Sequence, residues 1–174
     1  QSITLFILEA YKTLIMKKLI LFTSAVFGLL LSPNISAQEL GLGFQASFPS
    51  YGLSLKADFD DTHSGQVVLG SFGTVSTISG RYIYSFNETG DTFPLTPFVY
   101  GQVGQWSYNY DFLGIKESIF GYGVGAGLEF NWLASISDKF KTTVEIGYAA
   151  VDLEYFDFSA TMFGVGIHYY FLEF

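Results

Sequence analysis

From Leu40 onward, apolar residues alternate with small or polar ones in a series of short stretches. The pattern is plainest near the chain end. Phe163, Val165, Ile167, Tyr169 and Phe171 share one parity, and Gly164, Gly166, His168 and Tyr170 the other. A period of two is that of a β-strand with one apolar face and one small or polar face. An earlier stretch is equally regular, with Phe120, Tyr122, Val124, Ala126, Leu128 and Phe130 opposing Gly121, Gly123, Gly125, Gly127 and Glu129.

The same period predicts six further strands. Leu40, Leu42, Phe44, Ala46 and Phe48 oppose Gly41, Gly43, Gln45 and Ser47, and Pro49-Ser50 turns the chain. Leu53, Leu55, Ala57 and Phe59 then oppose Ser54, Lys56 and Asp58, completing a hairpin with apolar positions on one face of both arms. Asp60 to His63 is the next turn. Gln66–Phe72 is a third strand of ambiguous parity, because Val67, Val68 and Leu69 are all apolar. The fourth ends with Tyr82, Tyr84 and Phe86 opposing Arg81, Ile83 and Ser85, and Asn87 to Thr96 is the longest polar connection. Pro97 opens a fifth strand on which Phe98, Tyr100, Trp106, Tyr108 and Tyr110 share a parity. The seventh sets Thr142, Val144, Ile146 and Tyr148 against Thr143, Glu145 and Gly147. The strand ending at Phe171 is the eighth. No amphipathic helix and no linker divides residues 38–174.

The first 37 residues read differently. Met16-Lys17-Lys18 is a positive start, Leu19 to Leu31 an apolar run, and Pro33 to Ala37 ends on a small residue suited to cleavage. Residues 16–37 are therefore expected to be a signal peptide. The run falls short of the roughly 20 residues a membrane-anchoring helix needs. Residues 1–15 are expected to be an upstream extension outside the fold.

Alternation alone leaves open which face is inside. One face carries Lys56, Arg81, Glu129, Glu145 and His168 among many glycines. A water-facing surface would hold more Lys and Glu and less Gly. The other face is apolar and ends in aromatics at Phe48, Tyr84, Phe86, Phe98, Tyr100, Trp106, Tyr108 and Phe130, rings that suit the two interfaces of a membrane. The even count, at about ten residues each, matches strands that cross a bilayer. The predicted fold is all-β: an eight-stranded antiparallel up-and-down transmembrane barrel, polar inside and apolar outside. The competing placement puts the aromatics in the core of a soluble sandwich.

A signal peptide, eight alternating strands and an aromatic final strand resemble the small outer-membrane β-barrels of the OmpA/OmpX transmembrane type. The likeness spans residues 38–174 and is one of pattern, without a residue-level signature. It implies the outer membrane of a diderm bacterium, contact with outer-membrane lipid, and insertion by the barrel-assembly machinery. In that family the last strand is the assembly signal, a role that falls here on Tyr169, Phe171 and Phe174; Phe174 has the parity opposite to Phe171.

Composition narrows the chemistry. The formal charge of −8 argues against nucleic acid as a partner, and the absence of Cys excludes disulfides and thiol chemistry. The alternating glycines at 121–127 lack the following helix of a nucleotide-binding loop. His63, beside Ser64 in a turn, and His168, on the polar face, form no nucleophile–base–carboxylate set by spacing and no metal-ligand pattern. No cofactor, metal or catalytic residue is predicted. The expected role is structural or interactive, with a lumen plugged by the five charged or titratable residues. A lumen that binds or transports is the alternative, ahead of a lipid-modifying enzyme or a lipocalin-like soluble binder. No external partner is identified.

Overall fold

A computed structural model describes residues 38–47, 50–72, 75–90, 93–110, 115–152 and 157–173. Within these strands the side chains at 72, 75, 108–110, 115–117, 151–152, 157–158 and 173 are not described. The expected extension and signal peptide, Phe48 and Phe174 lie outside the described residues.

Eight strands follow one another: β1 (Glu39–Ser47), β2 (Ser50–Asp58), β3 (His63–Phe72), β4 (Val75–Ser85), β5 (Leu95–Tyr110), β6 (Ile115–Phe130), β7 (Phe140–Asp152) and β8 (Asp157–Glu173). Each pairs antiparallel with its sequence neighbours, and β8 pairs with β1 to close the barrel. The expected fold class is the one found. The pairing also gives the stagger, which period-two alternation does not contain. Pairs lead from Gly43 through Ser54, Val68, Ser79, Gly104, Gly121 and Val151 to Phe158. Across the closure, Gly43 itself pairs with His168. The ten residues between 158 and 168 are the shear of the barrel, and shear with strand number fixes strand tilt and diameter.

Alternation maps onto inside and outside as the closure demands. Leu42, Phe44, Leu53, Leu69, Phe120, Tyr122, Val124, Phe163 and Val165 are exposed, and Gln45, Ser54, Lys56, Gln66, Arg81, Glu145 and His168 are buried. The parity of β3 is resolved: Ser64, Gln66 and Val68 face inward, and Leu69 outward. His63 is the first residue of β3 rather than part of a turn, and its Nδ1 lies 2.6 Å from the Tyr82 hydroxyl on the outer face. The turn before it is built by Asp60, whose carboxylate accepts from the Thr62 hydroxyl and from the Thr62 and His63 amides. The Thr62 hydrogen bonds hold that carboxyl below its usual range.

β5 corrects the sequence reading. Phe98, Tyr100 and Trp106, expected on the outer aromatic face, are buried at 4%, 4% and 1% exposure. Val99 and Val103 take the outward positions. The reason lies on the adjoining strands. A Cβ built on Gly125 would meet the Tyr100 ring at 2.5 Å, one on Gly147 would meet the Tyr100 hydroxyl at 2.5 Å, and one on Gly127 would collide with the Phe98 ring. The inward glycines of β6 and β7 are thus seats for the β5 rings. Bare backbone on one wall admits full aromatic rings from the next.

Gly125→Ala tests this fit. The added methyl has the Tyr100 ring on one side and the Ile146 carbonyl oxygen at 2.6 Å on the other. Overpacking of this kind should lower unfolding stability by about 1–3 kcal/mol. Equilibrium unfolding of the refolded barrel in detergent reads the effect, and an unchanged midpoint would mean that the ring does not sit there.

Candidate functional site in the barrel interior

β1, β2, β4, β6 and β7 bring the charged residues together in two groups. In the first, Arg81 Nη2 donates to both oxygens of Glu145 at 2.8 Å, and Nη1 donates to Gln66 Oε1 at 3.1 Å. The guanidinium carbon lies 3.9 Å from the centre of the Tyr100 ring. Both side chains of the pair are almost wholly buried, at 1% and 2% exposure. A charge so placed is tolerable only with an opposite charge and hydrogen bonds around it, and here it has both. Of the two carboxylates that the sequence offered to Arg81, the shear delivers Glu145.

Glu129 belongs to the second group, nearer the end of the barrel where β1 begins and β8 ends, the terminus end of the barrel. Lys56 Nζ lies 2.6 Å from Glu129 Oε2 and 3.6 Å from Asp58 Oδ1. Lys141 lies 2.9 Å from Glu39 and 3.5 Å from Asp58, so the two lysines share Asp58. The Lys141 ammonium also stands 4.2 Å from the centre of the inward Tyr170 ring. Sequence reading missed Lys141, Asp58 and Glu39. Their parity was available, but each stands within two residues of a strand end, where charge reads as a solvated rim.

His168 joins the first group through Gln66. Its Nε2 lies 2.8 Å from the Ser54 hydroxyl and 3.3 Å from the Gln66 amide nitrogen. Gln66 Nε2 also donates to Ser54 at 2.7 Å and to Gln45 at 3.2 Å. A serine against a histidine has the outline of a nucleophile and base. Catalysis would need a carboxylate on Nδ1 and a route for substrate. Nδ1 has no hydrogen-bond partner here, and Ser54 and His168 are each 1% exposed. Among the described residues no group of His, Asp and Glu could hold a metal.

The interior changes character along its length. At the terminus end a cavity of about 630 Å³ is lined by Glu39, Asp58, Asp60, Asp61, Glu88 and Glu129, with Lys56 and Lys141. Above it lie the ion pairs, then a level of Ser47, Ser79 and Gln102. Toward the opposite end the buried interior residues include Trp106, Ile119, Met162 and Ala149, with Thr77 beside Trp106.

Of the remaining aromatics, Tyr84, Phe86, Tyr169 and Phe171 face outward at 37–48% exposure. Phe130 is half-buried against Phe93, with ring centres 5.6 Å apart. Phe140, packed on Tyr169 at 5.0 Å, and the exposed Trp132 extend this aromatic band at the terminus end. Tyr108 lies on β5, its side chain among those not described.

The sequence matches no protein-family model and no curated protein. Among solved structures, the N-terminal β-barrel domain of Pseudomonas aeruginosa OprF is similar at a TM-score of 0.56 and 20% identity. The match covers 76% of this chain and 96% of that one. Ail, the attachment invasion locus protein of Yersinia pestis, matches over 76% of this chain and 97% of its own at 17% identity, with a TM-score of 0.37.

The buried Arg81–Glu145 pair should be the costliest interaction to break. Arg81→Met leaves Glu145 uncompensated and should lose about 3–5 kcal/mol. Lys56→Met should lose less, because Glu129 keeps 13% exposure and thus some water. Adding Glu145→Leu to Arg81→Met should restore much of the loss. A double-mutant cycle by urea unfolding in lipid vesicles measures the coupling; strict additivity would rule out the pair as an energetic unit. The chain has the fold of small closed eight-stranded barrels such as the N-terminal domain of OprF.

Proposed function

We propose that this chain is an outer-membrane β-barrel of a Gram-negative bacterium, with a structural and interaction role and a lumen plugged by its own side chains. The observation that carries this reading is the inverted polarity of the barrel. Its outside offers Leu, Val, Phe and Tyr, and its inside buries Lys, Arg, Glu, Gln and His. In water such a surface would aggregate; in lipid it is the stable arrangement. Closure supports it further, because a closed sheet leaves no strand edge unpaired across the hydrocarbon. Nine residues of β1 at about 3.4 Å each, tilted by about 40°, rise roughly 23 Å, close to the apolar band of such barrels at about 25 Å.

The aromatics at the terminus end, Tyr84, Phe86, Phe130, Tyr169 and Phe171, suit one interfacial girdle. In this reading Tyr169 and Phe171 also form the assembly signal, and the signal peptide at residues 16–37 is removed after Ala37. Both termini then lie in the periplasm, and the hairpins β1–β2, β3–β4, β5–β6 and β7–β8 point outward. The bidentate Arg81–Glu145 pair and the buried Trp106, Ile119 and Met162 favour a plugged lumen over a channel. The large cavity at the terminus end favours a second reading, in which that mouth binds a small molecule.

Cell fractionation should recover the protein only with detergent, starting at Gln38; a soluble product would end the proposal. Epitope tags at Gly114 and Gly90 should behave oppositely on intact cells, with label reaching Gly114 alone. Planar bilayers test the lumen. Wild-type protein should give no large steady conductance, and a persistent open current would replace the plug with a channel.

A further inference from the structure

A small void lies beside the Arg81–Glu145 pair. It measures about 10 Å³, taken as the room open to the centre of a water molecule. Four residues that line it carry a polar atom without a hydrogen-bond partner: Gln45 Nε2, Arg81 Nε, Thr143 Oγ1 and His168 Nδ1. Their exposures are 1%, 5%, 6% and 1%. Nearly all buried polar groups in proteins are paired, and an unpaired donor on a buried guanidinium is among the most costly exceptions. A single partner held in the void would satisfy several of them at once.

We propose that the void is the binding site of one structural water molecule. That water would join the Arg81–Glu145 ion pair to the Gln45–Gln66–His168 hydrogen-bond group. The donor count suits it. The two hydrogens of Gln66 Nε2 go to Ser54 and Gln45, so the Ser54 hydroxyl donates its own hydrogen to His168 Nε2, which accepts; Nδ1 then carries the ring proton. Gln45 Nε2, Arg81 Nε and His168 Nδ1 are thus donors, and the Thr143 hydroxyl is either donor or acceptor. A water oxygen accepts from two of the donors, and one of its hydrogens goes to Thr143. Buried waters make about three hydrogen bonds in sites of this size. A hydrated ion is too large for the space, and a bare cation would meet Lys56 and Arg81. Ile83 and Phe98 form the apolar part of the wall. The inference needs only the folded barrel. It stands apart from the proposed function and does not depend on whether the lumen conducts.

Two measurements on the barrel in phospholipid nanodiscs test it. In wild-type protein the Gln45 side-chain amide protons should exchange magnetisation with a long-lived water by NMR. Thr143→Val keeps the side-chain shape and removes one partner of that water, so its thermal midpoint should fall. A dry void predicts the opposite, because the substitution would then remove an unsatisfied hydroxyl. Absence of a long-lived water at Gln45, or a raised midpoint in Thr143→Val, overturns the proposal. A midpoint that tracks chloride at constant ionic strength would give the void to an anion and overturn it as well.

Discussion

Closing eight strands at a ten-residue stagger encloses a narrow interior of fixed width, and the rest of the molecule answers to that limit. Every inward position on one strand competes for space with inward positions on strands opposite. Glycines at 125, 127, 147, 164 and 166 yield that space, and Tyr100, Phe98, Glu145, Gln45 and Thr143 occupy it. Small and large residues are therefore complementary across the lumen. The alternation of size between walls matters as much as the alternation of polarity along each strand.

The same narrowness makes buried charge workable. Arg81 is ringed by a carboxylate, an amide and an aromatic face within about 4 Å. Each contact comes from a different strand. A wider barrel would hold water there and dilute the attraction; a flat sheet would not bring β4 and β7 together at all. Closure thus turns residues 64 positions apart into a bidentate pair.

How much of this was legible in the sequence depended on the strand. β6 and β8 carry glycine on one parity and apolar residues on the other, so their faces could be read without a partner. The inward charged positions 56, 81, 129, 145 and 168 followed from the same rule. β5 misled, because Phe98, Tyr100 and Trp106 are as apolar as any lipid-facing set. Only the glycines across from them reveal that they point inward, and seeing that requires the register. The register also decides between Glu129 and Glu145 for Arg81. Period-two patterning is blind to it, since pairing partners are set by closure and not by any local run of residues. The weak β3 pattern, Val67-Val68-Leu69, was unreadable for a simpler reason: Val68 is an apolar residue facing inward at 0% exposure.

The seating of rings on glycines bears on how the chain finds its register. A slip of one residue would turn a strand inside out, and lipid or core would reject it at once. A slip of two leaves every apolar side chain outside, so hydrophobicity alone does not oppose it. Such a slip at β5–β6 would move Phe98 and Tyr100 off their glycines by one inward position. In one direction it would drive the Phe98 ring against the Glu129 side chain; in the other it would carry the Tyr100 ring to Gly123 and Gln102 on to Gly121. At β4 it would carry the guanidinium away from its carboxylate. The lumen therefore acts as a proofreader of assembly, rejecting errors that the outer surface passes.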